Sequence, residues 1–180
     1  MLNEMSKPMN KTPPASLFAV KFALLYILLV PFINWTFSWA PMIELIPNWA
    51  FNPVTIITGL VLVVRDFAQR EIGHQVLIAM FIGLCLTLWT TGPELAIASG
   101  TAFAIAELVD WALYTFSKLR LSSRVLLSSA LAAPIDTISF LFLAENLVTG
   151  SFTLPNIIMS IGGKMVGAIF VWYVLRRRGL

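Results

Sequence analysis

Residues 104–114 read AIAELVDWALY, an apolar run typical of a membrane helix in which two carboxylates, Glu107 and Asp110, lie three positions apart. An ionisable side chain near the centre of a bilayer costs on the order of 2.5 to 3.5 kcal/mol, and such side chains usually face a bundle interior or a water-filled cavity. The pair therefore predicts a buried polar site inside a membrane-spanning helix bundle.

The composition of the whole chain agrees with a membrane location. Of its 180 residues, 58% are hydrophobic and 12% are charged, and the mean hydropathy is +0.85, whereas a soluble domain carries about 25% charged residues. The sequence contains no phosphate-binding loop, no HExxH, CxxC or GxSxG motif, and a single cysteine, Cys85. We therefore predict no metal site, no cofactor, no enzymatic activity and no nucleic-acid partner.

The hydrophobic segments predict an all-α membrane protein with six transmembrane helices in one bundle. A helix needs about 20 apolar residues to cross the hydrocarbon core, and six segments approach that length. The predicted helices are 16–33, 49–64, 74–90, 94–114, 124–143 and 155–175. Residues 1–14 are polar and predicted to be a disordered cytoplasmic N-terminus, so residues 15–178 form the transmembrane domain.

The placement of basic residues predicts the orientation of the bundle. Lysine and arginine occur before the first predicted helix, between the second and third, between the fourth and fifth, and after the sixth, while the other three connections contain neither. Because cytoplasmic loops carry an excess of Lys and Arg, both termini are predicted to be cytoplasmic. In this interpretation Arg65 and Arg70 belong to a cytoplasmic loop.

Four ionisable residues lie well inside the predicted spans, on three different helices: Glu107, Asp110, Asp136 and Lys164. Their similar depth predicts that they converge around one pocket, because exposure to lipid would be costly. Trp111 lies four positions after Glu107, and Phe140 four after Asp136, so each aromatic ring shares a helix face with an acid. Such a pocket suits a small, planar, polar molecule, although a purely structural ion-pair network is the alternative.

Three stretches together resemble a known family: RDFAQREIG (65–73), SGTAFAIAELVDWALYTFSKLR (99–120) and SSRVLLSSALAAPIDTISFLF (122–142). They resemble the vitamin uptake transporter family, the bacterial queuosine precursor transporters. The resemblance implies a six-helix protein of the bacterial inner membrane that imports 7-cyano-7-deazaguanine or 7-aminomethyl-7-deazaguanine. One departure is the end of the sixth helix, which reads GAIFVWYVLRRR without the proline expected there.

The resemblance also implies roles for individual residues. The positions that it places in the polar membrane core are Glu107, Asp110, Asp136 and Lys164; with Trp111 and Phe140, which helical spacing puts on the same faces, they form the predicted substrate-binding set. A second set matches the cytoplasmic loop motif and the start of the fifth helix and is interpreted as a gate or structural polar network: Arg65, Asp66, Gln69, Arg124, Ser128 and Ser129.

Two kinds of transport remain open at this point. The chain could act alone as a transporter, with protons as a candidate coupling ion. A homo-oligomer is a candidate assembly. Alternatively it could be the substrate-binding subunit of an energy-coupling factor vitamin transporter, docking on its partner through the small residues Ala15, Ala19 and Ala23. An intramembrane enzyme is disfavoured, since no serine lies beside a plausible base.

Overall fold

The computed structural model describes residues 20–117 and 119–179, and this part of the chain is mainly helical. The elements in chain order are α1 (Lys21–Phe37), β1 (Ile43–Ile46), β2 (Trp49–Phe51), α2 (Val54–Ile72), α3 (Val76–Thr90), α4 (Pro93–Phe116), α5 (Leu121–Ala144) and α6 (Leu154–Arg177). The predicted disordered segment 1–14, the predicted start of the first helix and the positions Ala15 and Ala19 lie outside the described residues.

The helices have the length and apolar character that a multi-pass membrane protein requires. Four helical segments of the described chain are long and apolar enough to cross a membrane, namely Val54–Thr90, Pro93–Phe116, Leu121–Ala144 and Leu154–Arg177. Each of the last three has 24 residues, which at about 1.5 Å per residue exceeds the hydrocarbon thickness of about 30 Å. The shorter apolar helix α1 has 17 residues.

The segment Val54–Thr90 comprises two helices rather than one. Between α2 and α3 the chain forms a short 3₁₀ turn at Gly73–Gln75. Gly73 has φ 60° and ψ −134°, a conformation that glycine adopts without the steric cost that a Cβ would bring. The helical path is therefore broken at this residue.

The beginning and end of α2 differ from the prediction. Residues 49–51 form β2, which pairs antiparallel with β1, and α2 starts only at Val54, whose N–H donates to Asn52 Oδ1 at 2.9 Å. At its other end α2 continues to Ile72. The prediction that Arg65 and Arg70 lie in a loop is therefore wrong, because both belong to α2, where Arg65 is fully buried.

The six helices of the described chain pack as a single bundle. Helix α1 packs against α2 and α3, α2 packs against α6, and α5 lies between α4 and α6. A carboxylate ties two helix ends together, since Glu71 Oε2 near the end of α2 accepts hydrogen bonds from the N–H groups of Phe22 and Ala23 at 2.8 and 3.2 Å. The start of α1 and the end of α2 therefore lie at the same end of the bundle.

Helices α2 and α6 cross at glycines that allow unusually close approach of the two backbones. A Cβ on Gly59 would overlap the carbonyl group of Lys164, and one on Gly167 would lie 2.5 Å from the carbonyl oxygen of Ile56. Gly163 and Gly167 form the G-x-x-x-G spacing common at such crossings. This crossing fixes the backbone of Lys164 against α2.

We expect Gly59→Ala and Gly167→Ala to destabilise the protein, because each methyl group would force the two backbones apart. Overpacking of this kind costs roughly 1 to 3 kcal/mol. Gly162→Ala is the matched control, because a Cβ at that position meets nothing within 4 Å. Thermal unfolding in detergent should give lower midpoints for the first two variants and an unchanged one for the control. Equal midpoints in all three would contradict the close crossing.

Candidate functional site

The most buried polar residues form a cluster centred on one arginine, Arg65. Its Nε lies 3.1 Å from Glu107 Oε2, and its Nη1 lies 2.9 Å from Asp66 Oδ1 and 3.2 Å from Asp110 Oδ2. All four side chains are at most 2% exposed. We call these four residues the Arg65 cluster.

Two hydroxyl groups extend the Arg65 cluster to neighbouring helices. Tyr26 on α1 donates its hydroxyl hydrogen to Glu107 Oε2 at 2.7 Å, and Ser128 on α5 donates to Asp66 Oδ2 at 3.1 Å. Arg65 and Asp66 lie on α2, and the other two acids lie on α4. Together with Tyr26 and Ser128, the cluster therefore joins four helices, α1, α2, α4 and α5.

The other predicted members of the polar network do not join the ion pairs of this cluster. Gln69 Nε2 donates to Thr115 Oγ1 at 3.2 Å, and the buried hydroxyl of Ser129 has no hydrogen-bond partner among the described residues. Arg124 donates to the carbonyl of Leu119 at 2.9 Å. Its guanidinium lies 4.3 Å from the centre of the Tyr114 ring.

A second buried ion pair joins α5 and α6. Lys164 Nζ lies 2.6 Å from Asp136 Oδ2 and 2.7 Å from Thr137 Oγ1. The Asp136 side chain retains 12% exposure and that of Lys164 retains 5%. The side chains of this pair are thus largely buried but remain partly accessible, whereas those of the Arg65 cluster are almost completely buried.

The Asp136–Lys164 pair lines a cavity of about 60 Å³, or about 590 Å³ if the space open to the surface is included. The wall is apolar except at the ion pair and three uncharged polar residues, of which Asn34 and Ser99 are hydrogen-bonded to each other across α1 and α4. The lining residues are Val30, Ile33, Asn34, Phe37, Thr58, Val61, Leu95, Ser99, Phe103, Asp136, Phe140 and Lys164.

The prediction of a single pocket holding all four ionisable residues is wrong. Lys164 pairs with Asp136, whereas Glu107 and Asp110 pair with Arg65. Glu107, Asp110 and Trp111 do not line the cavity. The indole N–H of Trp111 donates instead to His74 Nδ1 at 3.1 Å.

Several residues of the two groups were not anticipated from the sequence. Asn34 was placed just beyond the first helix because hydropathy falls there, although α1 continues to Phe37. Tyr26 is the one tyrosine inside an otherwise apolar N-terminal span, and that isolation is the signal that could have identified it. Thr137 and Ser99 carry no sequence signal that separates them from ordinary helix hydroxyls.

The fold is that of a multi-pass helical membrane protein, and a small cavity lined by a buried ion pair lies between its helices. No family model matches the chain, and no similar protein was found among curated proteins or among solved structures.

We expect Arg65→Gln to destabilise the bundle strongly, because it removes the positive charge that contacts three buried carboxylates. Removing one partner of a buried ion pair typically costs about 3 to 5 kcal/mol. Arg70→Gln is the matched control on the same helix, since Arg70 is exposed. In detergent, the unfolding midpoint of Arg65→Gln should lie well below that of Arg70→Gln. An Arg65→Gln protein as stable as the control would contradict the central place of this arginine.

Proposed function

We propose that this protein imports a small planar polar molecule across the bacterial inner membrane, and that the molecule is a queuosine precursor, 7-cyano-7-deazaguanine or 7-aminomethyl-7-deazaguanine. The observation that carries the proposal is the cavity between the helices, which combines an Asp–Lys pair with aromatic walls. Ligand sites are commonly apolar clefts with a few placed polar groups.

The chemistry of the cavity matches a deazaguanine. Such a base presents a ring N–H and an exocyclic amine on one edge, and a carboxylate can accept both. Asp136 Oδ2 accepts from Lys164, and among the described residues no side chain donates to its other oxygen, which is free for a ligand. Hydrogen bonds to a charged group are about twice as strong as neutral ones.

Lys164 and the aromatic residues would complete the recognition. The Lys164 ammonium carries three donors, of which Asp136 and Thr137 take two, so a ligand carbonyl or nitrile could take the third. Phe37, Phe103 and Phe140 line the cavity and offer faces on which a flat ring stacks. In this proposal Asp136 rather than Glu107 binds the donor edge of the base, because Asp136 lines the cavity and Glu107 does not.

The proposal includes a topology of six membrane spans with both termini in the cytoplasm. It is supported by basic residues in the last turns of α2 and α6, just after α6, and around the start of α5, namely Arg70, Arg120, Arg124 and Arg176–Arg178. The hairpin and the α3–α4 and α5–α6 connections contain no Lys or Arg. Three motifs that resemble the queuosine precursor transporters support the choice of substrate.

The topology predicts opposite accessibility for two introduced cysteines in a Cys85→Ser background. In Asn48→Cys, at the hairpin turn, a membrane-impermeant maleimide should label intact spheroplasts from outside. In Arg178→Cys, after α6, labelling should require permeabilised cells. The same labelling pattern at both positions would contradict six spans.

The uptake test uses bacteria that cannot make the precursor and lack their own importer. Cells expressing this chain are fed 7-cyano-7-deazaguanine, and queuosine is measured in their tRNA. We expect Asp136→Asn to lower ligand affinity roughly ten- to hundredfold, because a hydrogen bond to a charged group is worth about 1.5 to 3 kcal/mol. Glu94→Gln, at an exposed acid in the first turn of α4, is the control.

The same strain separates stand-alone import from dependence on an energy-coupling partner. Queuosine in a host without any energy-coupling module would favour a stand-alone transporter. Binding of the base by the purified protein without uptake in that host would favour the binding-subunit alternative. Neither binding nor uptake by a well-expressed protein would contradict the proposed substrate.

A further inference from the structure

The Arg65 cluster is not electrically balanced. It holds one guanidinium and three carboxylates, all buried, so the cluster would carry two net negative charges if every acid were ionised. The Asp136–Lys164 pair offers no compensation, because its own charges cancel. Uncompensated charge in a low-dielectric interior is expensive, and a buried group without sufficient partners binds a proton instead.

Asp110 is the acid with the fewest donors. Glu107 accepts hydrogen bonds from Tyr26 and Arg65, and Asp66 accepts them from Arg65 and Ser128. Asp110 Oδ2 lies 3.2 Å from Arg65 Nη1, but neither of its oxygens receives a hydrogen bond of good geometry. An ionised carboxylate in that position would be poorly solvated.

Within the part of the chain that the structure describes, no cation besides Arg65 lies within ion-pair distance of Asp110. The groups that surround Asp110 in the cluster are Tyr26 from α1, Arg65 and Asp66 from α2, Glu107 from α4 and Ser128 from α5. Arg124 on α5 is directed at Tyr114, and Lys164 on α6 at Asp136. Among the described residues, no group of His, Cys, Asp and Glu is arranged to hold a metal ion.

We infer that the Arg65 cluster is a proton-binding site in which Asp110 carries the proton, and that substrate import is coupled to the release of this proton. The second half of the inference rests on the proposed function, whereas the first does not. On release, the O–H bond of Asp110 breaks and the proton passes to water. Arg65 Nη2, which has no partner in the described structure, is then available to the new carboxylate.

A continuous set of contacts links the cavity to this site. Phe103 lines the cavity and stacks on Tyr26 with ring centres 6.3 Å apart. Tyr26 in turn donates to Glu107, which pairs with Arg65. Glu107 lies four residues beyond Phe103 on α4, about 6 Å along the helix. A ligand that moves the Phe103 ring would therefore disturb the hydrogen bond that holds Glu107 and, through Arg65, the balance of charge at Asp110.

The first test detects the proton itself in purified protein and needs no substrate. Infrared spectroscopy at neutral pH should show the carbonyl stretch of a protonated carboxylic acid, shifted in deuterated water and lost in Asp110→Asn. Glu107→Gln should keep the band. A wild-type protein without the band, or an Asp110→Asn protein that retains it, would overturn the inference. Asp110→Glu provides a second variant, since it should move the band rather than remove it.

The second test measures coupling in proteoliposomes loaded with 7-cyano-7-deazaguanine. For the wild type, an inward proton gradient should raise accumulation above the level reached by exchange of internal for external base. For Asp110→Asn, the ratio of base accumulated to base exchanged should be the same with and without the proton gradient. A ratio that still responds in the variant would overturn the coupling. Absence of any base movement in the wild type would refute the proposed function and leave the infrared result standing.

Discussion

The contact on which the structure most depends is the attachment of three buried carboxylates to Arg65. Charged groups in hydrocarbon are costly without partners, and the guanidinium of Arg65 on α2 holds two acids of α4 in addition to its neighbour Asp66. Tyr26 and Ser128 add α1 and α5 to the same cluster. In the absence of a hydrophobic force between helices in lipid, such polar contacts specify which helices meet and at what depth.

The cavity depends on a different constraint, the close crossing of α2 and α6. Because Gly59 has no side chain, the carbonyl of Lys164 can lie against α2. The Lys164 side chain then extends to α5, where Asp136 and Thr137 receive it. The ion pair that lines the cavity is therefore positioned by backbone packing rather than by the charges alone. This explains why a glycine far from any chemistry bears directly on the site.

Hydropathy and charge placement were enough to predict helices in a membrane, and the intramembrane acids were enough to predict buried polar chemistry. Which charged residues pair with each other could not be predicted. The sequence predicts a loop at Arg65 because the hydrophobic segment ends at two charged residues, whereas α2 continues to Ile72 because Arg65 and Asp66 are paired inside the bundle. The rotation of each helix is equally absent from the sequence, so the division of Glu107 from Asp136 into separate groups appears only in three dimensions.

The separation of the two charged groups has a physical rationale for a transporter. The Asp136–Lys164 pair is neutral as a whole, so an uncharged base can enter and leave without changing the net charge within the bilayer. The Arg65 cluster carries less negative charge when Asp110 holds a proton, so in the proposed mechanism its charge depends on the aqueous phase that it meets. Since Tyr26 contacts both Phe103 at the cavity and Glu107 in the cluster, movement of one aromatic side chain would, in the proposed mechanism, connect the binding of a base with the binding of a proton.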